Sequence, residues 1–178
     1  YKTKMSSFIF LLYAAATLIP FQCVMLPLIR FMDGLNLMNR PGLVFMYLGF
    51  GSSLSIILLH GFIKNVPVEL EEAARIDGAS EAKTFIDIVL PMVKPGIGAL
   101  AIFTFINSWN DYFMQLIMLS STSKLTISLG IAKLQAENST DYGLIMAGAA
   151  LAAVPIIIVF LAFQKYFTKG IAMGAVKG

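Results

Sequence analysis

Charge is scarce in this chain. Only 13% of its 178 residues are Asp, Glu, Lys or Arg, where a soluble domain usually carries about 25%. With 58% hydrophobic residues and a mean hydropathy of +0.81, the composition is that of a membrane protein. Cys23 is the only cysteine, so no internal disulfide and no cysteine-based metal centre can be built. His60 is the only histidine, too little for a metal cluster or a proton relay, and is read as a packing or interface residue. No Gly-Lys dipeptide occurs, which excludes a phosphate loop of the GxxxxGK[ST] type, and HExxH and GxSxG are missing as well. The net charge of +3 comes from bases scattered around apolar runs, which make no basic face for nucleic acid.

What the chain does have is long uncharged runs. Residues 5–29, 41–63 and 142–164 carry no charge over 25, 23 and 23 positions, and 95–123 carries only Asp111. A helix needs roughly 20 apolar residues to cross a ~30 Å hydrocarbon core. The runs predict an all-α, polytopic membrane helix bundle in one domain, with four transmembrane helices at about 7–29, 42–63, 95–119 and 143–165. Pro20, Pro27 and Pro155 fall within these runs, where neighbouring helices satisfy the freed carbonyls. Small residues recur at Ala14–Ala16, Gly49, Gly51, Gly96, Gly98 and Ala147–Ala150, and favour close helix packing over simple tolerance in lipid. The chain starts at Tyr1 with no leader-like segment before the first run, which reads as a piece of a longer protein.

Lysine and arginine set the expected orientation. Lys2, Lys4, Lys64, Arg75, Lys83, Lys94, Lys165, Lys169 and Lys177 lie on one side of a four-span chain, and Arg30, Arg40, Lys124 and Lys133 on the other. Nine against four puts both ends, together with the 65–93 loop, in the cytoplasm.

That loop is crowded with charge. Pro67 and the acids after it predict a short helix, Gly78 its stop, and Ser80 the cap of a second helix that Pro91 closes. Six acids and two bases give residues 65–93 a net charge of −4. Helices that lie on the negative cytoplasmic leaflet are usually basic, so an acidic helix–turn–helix is better suited to a protein partner.

The residues of this loop carry a resemblance. Glu72-Ala73-Ala74, three residues, Gly78, nine residues, Ile88, one residue and Leu90-Pro91 match the EAA loop of ATP-binding-cassette importer permeases at every fixed position. The run EEAARIDGAS resembles the carbohydrate importers in particular, as do Ser108-Trp109-Asn110-Asp111 and the ending from Gly170 to Gly178. The resemblance covers essentially the whole chain and implies a permease subunit of an ATP-driven sugar importer in a bacterial-type inner membrane. Such permeases typically have six spans, which implies two more ahead of the four here.

The resemblance further implies a set of partners: a cytoplasmic ATP-binding-cassette ATPase dimer that binds the ATP, a second permease subunit and an extracytoplasmic sugar-binding protein, with membrane lipid around them. No cofactor is implied for this chain. Glu72, Ala73, Ala74, Asp77, Gly78, Ile88, Leu90 and Pro91 become the candidate ATPase-coupling residues. Glu72 and Asp77 would pair with basic groups, the two alanines would keep the docking face thin, and Gly78 would allow the turn and a close backbone approach. Ile88, Leu90 and Pro91 would fix the second helix against the bundle.

Asn107, Trp109, Asn110 and Asp111 are the candidate translocation path. Amides, a carboxylate and an indole suit sugar hydroxyls and ring faces, and a carboxylate within a span usually faces a cavity or a partner. An interfacial belt or gate built on Trp109, Tyr112 and Phe113 fits these residues equally well. Gln22, Ser52, Ser53 and Ser55 either line a path or bond neighbouring helices. An ion-coupled secondary transporter would carry more ionisable residues within its spans, and a structural membrane subunit would have no use for the loop.

Overall fold

The computed structural model describes residues 3–119, 125–136 and 141–175, with side-chain surroundings as far as Leu134 in the second stretch and Lys165 in the third. The expected ending at Gly170–Gly178 therefore falls outside the described surroundings. All regular structure among the described residues is helical: α1 (Lys4–Ala16), α2 (Phe21–Gly34), α3 (Arg40–Ile63), α4 (Val68–Ile76), α5 (Glu81–Thr84), a π turn (Phe85–Val89), α6 (Leu90–Asn110), α7 (Phe113–Met118), α8 (Ile127–Ala136) and α9 (Tyr142–Ala175).

Among the described residues, three helical stretches are long and apolar enough to cross a membrane: Arg40–Ile63, Glu81–Asn110 and Tyr142–Lys165. The fourth expected span, 7–29, is a bent pair. α1 opens on a capping box in which Thr3 and Ser6 each accept the other's backbone N–H. It ends at Ala16, and α2 leaves at 98° to it. Pro20 is the physical reason, since it has no N–H to continue the ladder and disfavours helical geometry at Ile19. Pro27, inside α2, causes no such break.

The turn into α3 is tightly built. Asn39 caps α3 by accepting the Gly42 N–H at 3.0 Å, and Pro41 occupies the first turn. A Cβ at Gly42 would lie 1.7 Å from the Leu37 carbonyl oxygen, so the close approach admits only glycine.

α6 packs most extensively on α9 and then on α3, while α1 lies along α3 and α8 against α9. Phe10 of α1 covers His60 of α3 with ring centroids 4.3 Å apart, in line with a packing role for that histidine. Two cores result, at opposite ends of α3. One joins Met32, Leu43, Met46, Met114, Met118, Leu119 and Leu129. Its four methionines suit an irregular space between short, non-parallel helices. The other joins Val66, Val89 and Val93 under Phe62, and lies ~28 Å away by helical rise. Leu151, Ile158 and Leu161 of α9 remain exposed, as they would against lipid or a neighbouring helix.

The second core rests on one glycine. A Cβ built on Gly96 would meet the Phe62 ring at 2.4 Å. Gly96→Val is therefore expected to push Phe62 aside and destabilise the protein by ~1–3 kcal/mol. The measurement is thermal unfolding in detergent, with Gly49→Ala as the control, because nothing lies within 4 Å of a Cβ there. Equal melting temperatures for the two variants would contradict the packing role of Gly96.

Candidate functional site

Two places gather the chemistry foreseen from the sequence. The first is the turn between α4 and α5. Pro67 precedes α4, Glu69 and Glu71 sit in its positive first turn, and Arg75 lies in its last. The helix ends in a Schellman motif: the Gly78 N–H donates to the Arg75 carbonyl at 3.0 Å and the Ala79 N–H to the Ala74 carbonyl at 2.9 Å. Gly78 has φ +79°, the left-handed conformation that such an ending requires. Ser80 then caps α5 by accepting the Lys83 N–H at 3.3 Å. Each step uses a residue type suited to it, so the turn is well determined locally.

Glu72, Ala73, Asp77 and Gly78 are exposed, and Ala74 is buried. Ile76, at the tip, is 86% exposed, the highest value among the exposed large hydrophobics described. Between the two helices runs a groove of about 430 Å³ whose walls include Ala73, Asp77, Thr84, Asp87 and Ile88. No described atom lies within 4 Å of a Cβ built on Gly78. The close approach expected at that position is thus not made by the chain itself; the positive φ alone accounts for glycine.

The second helix of the pair does not end at Pro91. It continues through the π turn into α6, giving one helical stretch from Glu81 to Asn110. In the π turn the Leu90 N–H donates to the Phe85 carbonyl, five residues back. That wider turn relieves the clash of the Pro91 ring with the carbonyl one turn earlier. The additional residue also rotates the faces that follow. Packing against the bundle, expected of Ile88, Leu90 and Pro91, falls instead to Val89 and Val93: Leu90 and Pro91 are exposed, and Ile88 is half-buried in the groove.

The second place is the far end of α6. The expected span 95–119 breaks at Asp111, whose extended backbone (φ −66°, ψ 130°) separates α6 from the short α7. Beside the break lies a cavity of about 630 Å³ between α2, α3 and α6. Asn107, Asn110 and Asp111 all line it, as positions three and four apart on a helix should. Opposite them stand Gln22, Tyr47 and Ser55, and Phe21, Phe50 and Phe113 supply aromatic surface. Phe21 meets the edges of the other two rings at centroid distances of 5.4 and 6.1 Å. Asp111 is held by Tyr47, whose hydroxyl donates to Oδ2 at 2.8 Å.

Trp109 lies apart from its neighbours in sequence. It lines a smaller pocket of about 250 Å³ behind the cavity, stacks on Phe105 at 5.6 Å, and donates its indole N–H to the Ala152 carbonyl of α9 at 3.0 Å. Of the four candidate path residues, three converge and Trp109 serves helix packing. Tyr47, Phe21 and Phe50 line the cavity too, which sequence reasoning missed, because aromatic residues in apolar runs carry no signal of which way they face. Among the described residues no group of His, Cys, Asp and Glu could hold a metal ion.

Residues 1–173 match the family model described as binding-protein-dependent transport system inner membrane component. The probable starch degradation products transport system permease protein AmyC of Thermoanaerobacterium thermosulfurigenes is 38% identical over 176 residues, which is 99% of this chain and 64% of that protein. The arabinooligosaccharides transport system permease protein AraQ of Halalkalibacterium halodurans is 36% identical over 178 residues, 100% of this chain and 63% of the relative. The melibiose/raffinose/stachyose import permease protein MelC of Bacillus subtilis is 35% identical over 179 residues, 99% of this chain and 65% of its own length. The chain spans less than two thirds of each of these relatives. It belongs to the family of inner membrane components of binding-protein-dependent transport systems.

Proposed function

We propose that the chain forms most of a permease subunit of an ATP-driven sugar importer. One observation carries this reading: the exposed, acidic α4–α5 turn is built into the same continuous helix that brings Asn107 and Asn110 to the cavity. From Glu81 to Asn110 that helix has 30 residues, about 45 Å of rise. A displacement at the turn therefore reaches Asn107 and Asn110 without crossing a flexible joint. The names of the similar permeases support sugar as the cargo, since they refer to starch degradation products, arabinooligosaccharides and melibiose, raffinose and stachyose.

In this mechanism the chain hydrolyses nothing. A cytoplasmic ATPase dimer binds and splits ATP, and its closure pushes on the α4–α5 turn. Ile76 and Ala73 give apolar contact in a cleft of the ATPase, while Glu72 and Asp77 accept hydrogen bonds from its basic side chains. α4 and α5 move as one body because the Schellman motif and the Ser80 cap leave the turn no slack. Val89 and Val93, packed on Phe62 and Val66, pass the motion to α3 as well as to α6. The cavity then opens alternately to the two sides. Asn107, Asn110 and Asp111 bond sugar hydroxyls, and the rings of Phe21, Phe50 and Phe113 cover the apolar faces of the pyranose. A second permease subunit completes the path, and a binding protein delivers the sugar outside.

The orientation can be measured directly. In a Cys23→Ser background, with the permease in the membrane without its ATPase, Ile76→Cys is expected to react with a membrane-impermeant maleimide in inside-out vesicles and to stay unlabelled in right-side-out ones. The reverse pattern would place the turn outside and end the coupling role. Gly78→Val would strain the positive-φ position by roughly 1–2 kcal/mol and add bulk where the partner sits. The expected result is normal insertion, with uptake per ATP hydrolysed reduced at least several-fold in proteoliposomes. Unchanged coupling would count against the turn as the point of force transfer.

A further inference from the structure

Gln115 is 3% exposed, on a helix of only six residues. A buried amide is costly unless its donors and its acceptor are matched, and here they are. Nε2 donates to the Tyr47 hydroxyl at 3.0 Å and to the Ser108 carbonyl at 3.2 Å, while Oε1 accepts from the Thr126 hydroxyl. The Ser108 carbonyl can only accept, which decides which end of the amide faces it. Since the amide donates to Tyr47, the hydroxyl accepts there, and its one proton is left for Asp111 Oδ2 at 2.8 Å. The sense of the whole chain, Gln115 to Tyr47 to Asp111, is set at Gln115.

The same side chain repairs the helix break. Of the last carbonyls of α6, Asn107 accepts the Asp111 N–H, Ser108 the Gln115 amide and Trp109 the Ser128 hydroxyl at 2.6 Å. Thr126, bonded to Gln115, also accepts the Leu129 N–H at 3.3 Å and so caps α8. Gln115 thus joins the start of α8 to the end of α6 from behind the cavity wall.

We infer that Gln115, which lies outside the cavity lining, is a positioning residue for the substrate: through Tyr47 it holds the Asp111 carboxylate at the cavity wall. This rests on the reading of the cavity as the sugar path. Gln115→Glu keeps the shape of the side chain and reverses its hydrogen bonding. A carboxylate cannot donate, and a protonated carboxyl has a single proton, which the Ser108 carbonyl takes; in both states the donation to Tyr47 is lost, its proton turns away and Asp111 is released. Tyr47→Phe removes the same link from the other side and leaves the ring packed.

The test is uptake of labelled maltotriose, arabinotriose and raffinose by the full-length permease in its own membrane, together with its partner subunits. Each single variant is expected to raise KM about fivefold, the effect of one lost hydrogen bond, with kcat changed less than about twofold. The double variant should be no worse than the weaker single one, because both break one chain. An unchanged KM in Tyr47→Phe overturns the inference, and so do effects that multiply in the double variant. If Gln115→Glu fails to reach the membrane, Gln115→Met takes its place, and an unchanged KM in Tyr47→Phe still overturns the inference. Asp111→Asn separates the two levels. If it raises KM while the other variants do not, only the positioning role fails; if it leaves uptake unchanged, or none of the three sugars is carried, the sugar-path reading fails and this inference with it.

Discussion

In a mostly apolar bundle, a backbone carbonyl that loses its helical partner must find another donor, because no water stands ready to take its place. Much of this structure follows from meeting that demand at the end of α6. The helix stops at Asn110 and the chain turns away at Asp111. The carbonyls of Asn107, Ser108 and Trp109 are taken by the Asp111 N–H, by Gln115 and by Ser128. Meeting the demand brings α7 and α8 down onto α6, and it leaves Asn107, Asn110 and Asp111 gathered at the wall of a cavity. The break and the polar wall have one cause.

At the other end of the same helix the opposite solution is used. Pro91 and Pro95 would be expected to interrupt it, yet the π turn absorbs the first, and the helix runs on from α5. Continuity there keeps the α4–α5 turn in mechanical contact with the cavity. The two packed cores reinforce the arrangement, because they hold α3 to its neighbours at both ends, and the cavity lies along the stretch between them. In the proposed importer, a tight joint at the force-receiving end and a hollow at the binding end are what a lever needs.

Much of the α4–α5 turn was legible in the sequence, because its stability is local. Gly78 in the left-handed region, Ser80 as a cap and acids in the first turn act within a few residues of themselves. The apolar runs were legible for the same reason, since crossing length depends only on consecutive residues. Pro91 and the face of the second helix were misread because a π turn shifts the register by one residue, and no propensity of Phe85–Val89 announces it. The bend at Pro20 was hidden in a run long enough for a straight span. Trp109 stands between two cavity-lining residues in sequence and still points elsewhere, since adjacent helical positions face different directions.

Helices, their apolar lengths, the charged turn and its exposed acids were determined by the sequence alone, through interactions that reach no further than about one helical turn. Which polar residues share a cavity was decided only by the tertiary structure. Tyr47 and Asp111 are 64 positions apart, and Gln115 and Tyr47 are 68. Nothing in the local chemistry of either member selects its partner. The selection comes from packing, which brings α3, α6 and α7 to one place, and from the cost of leaving any of those groups unpaired there.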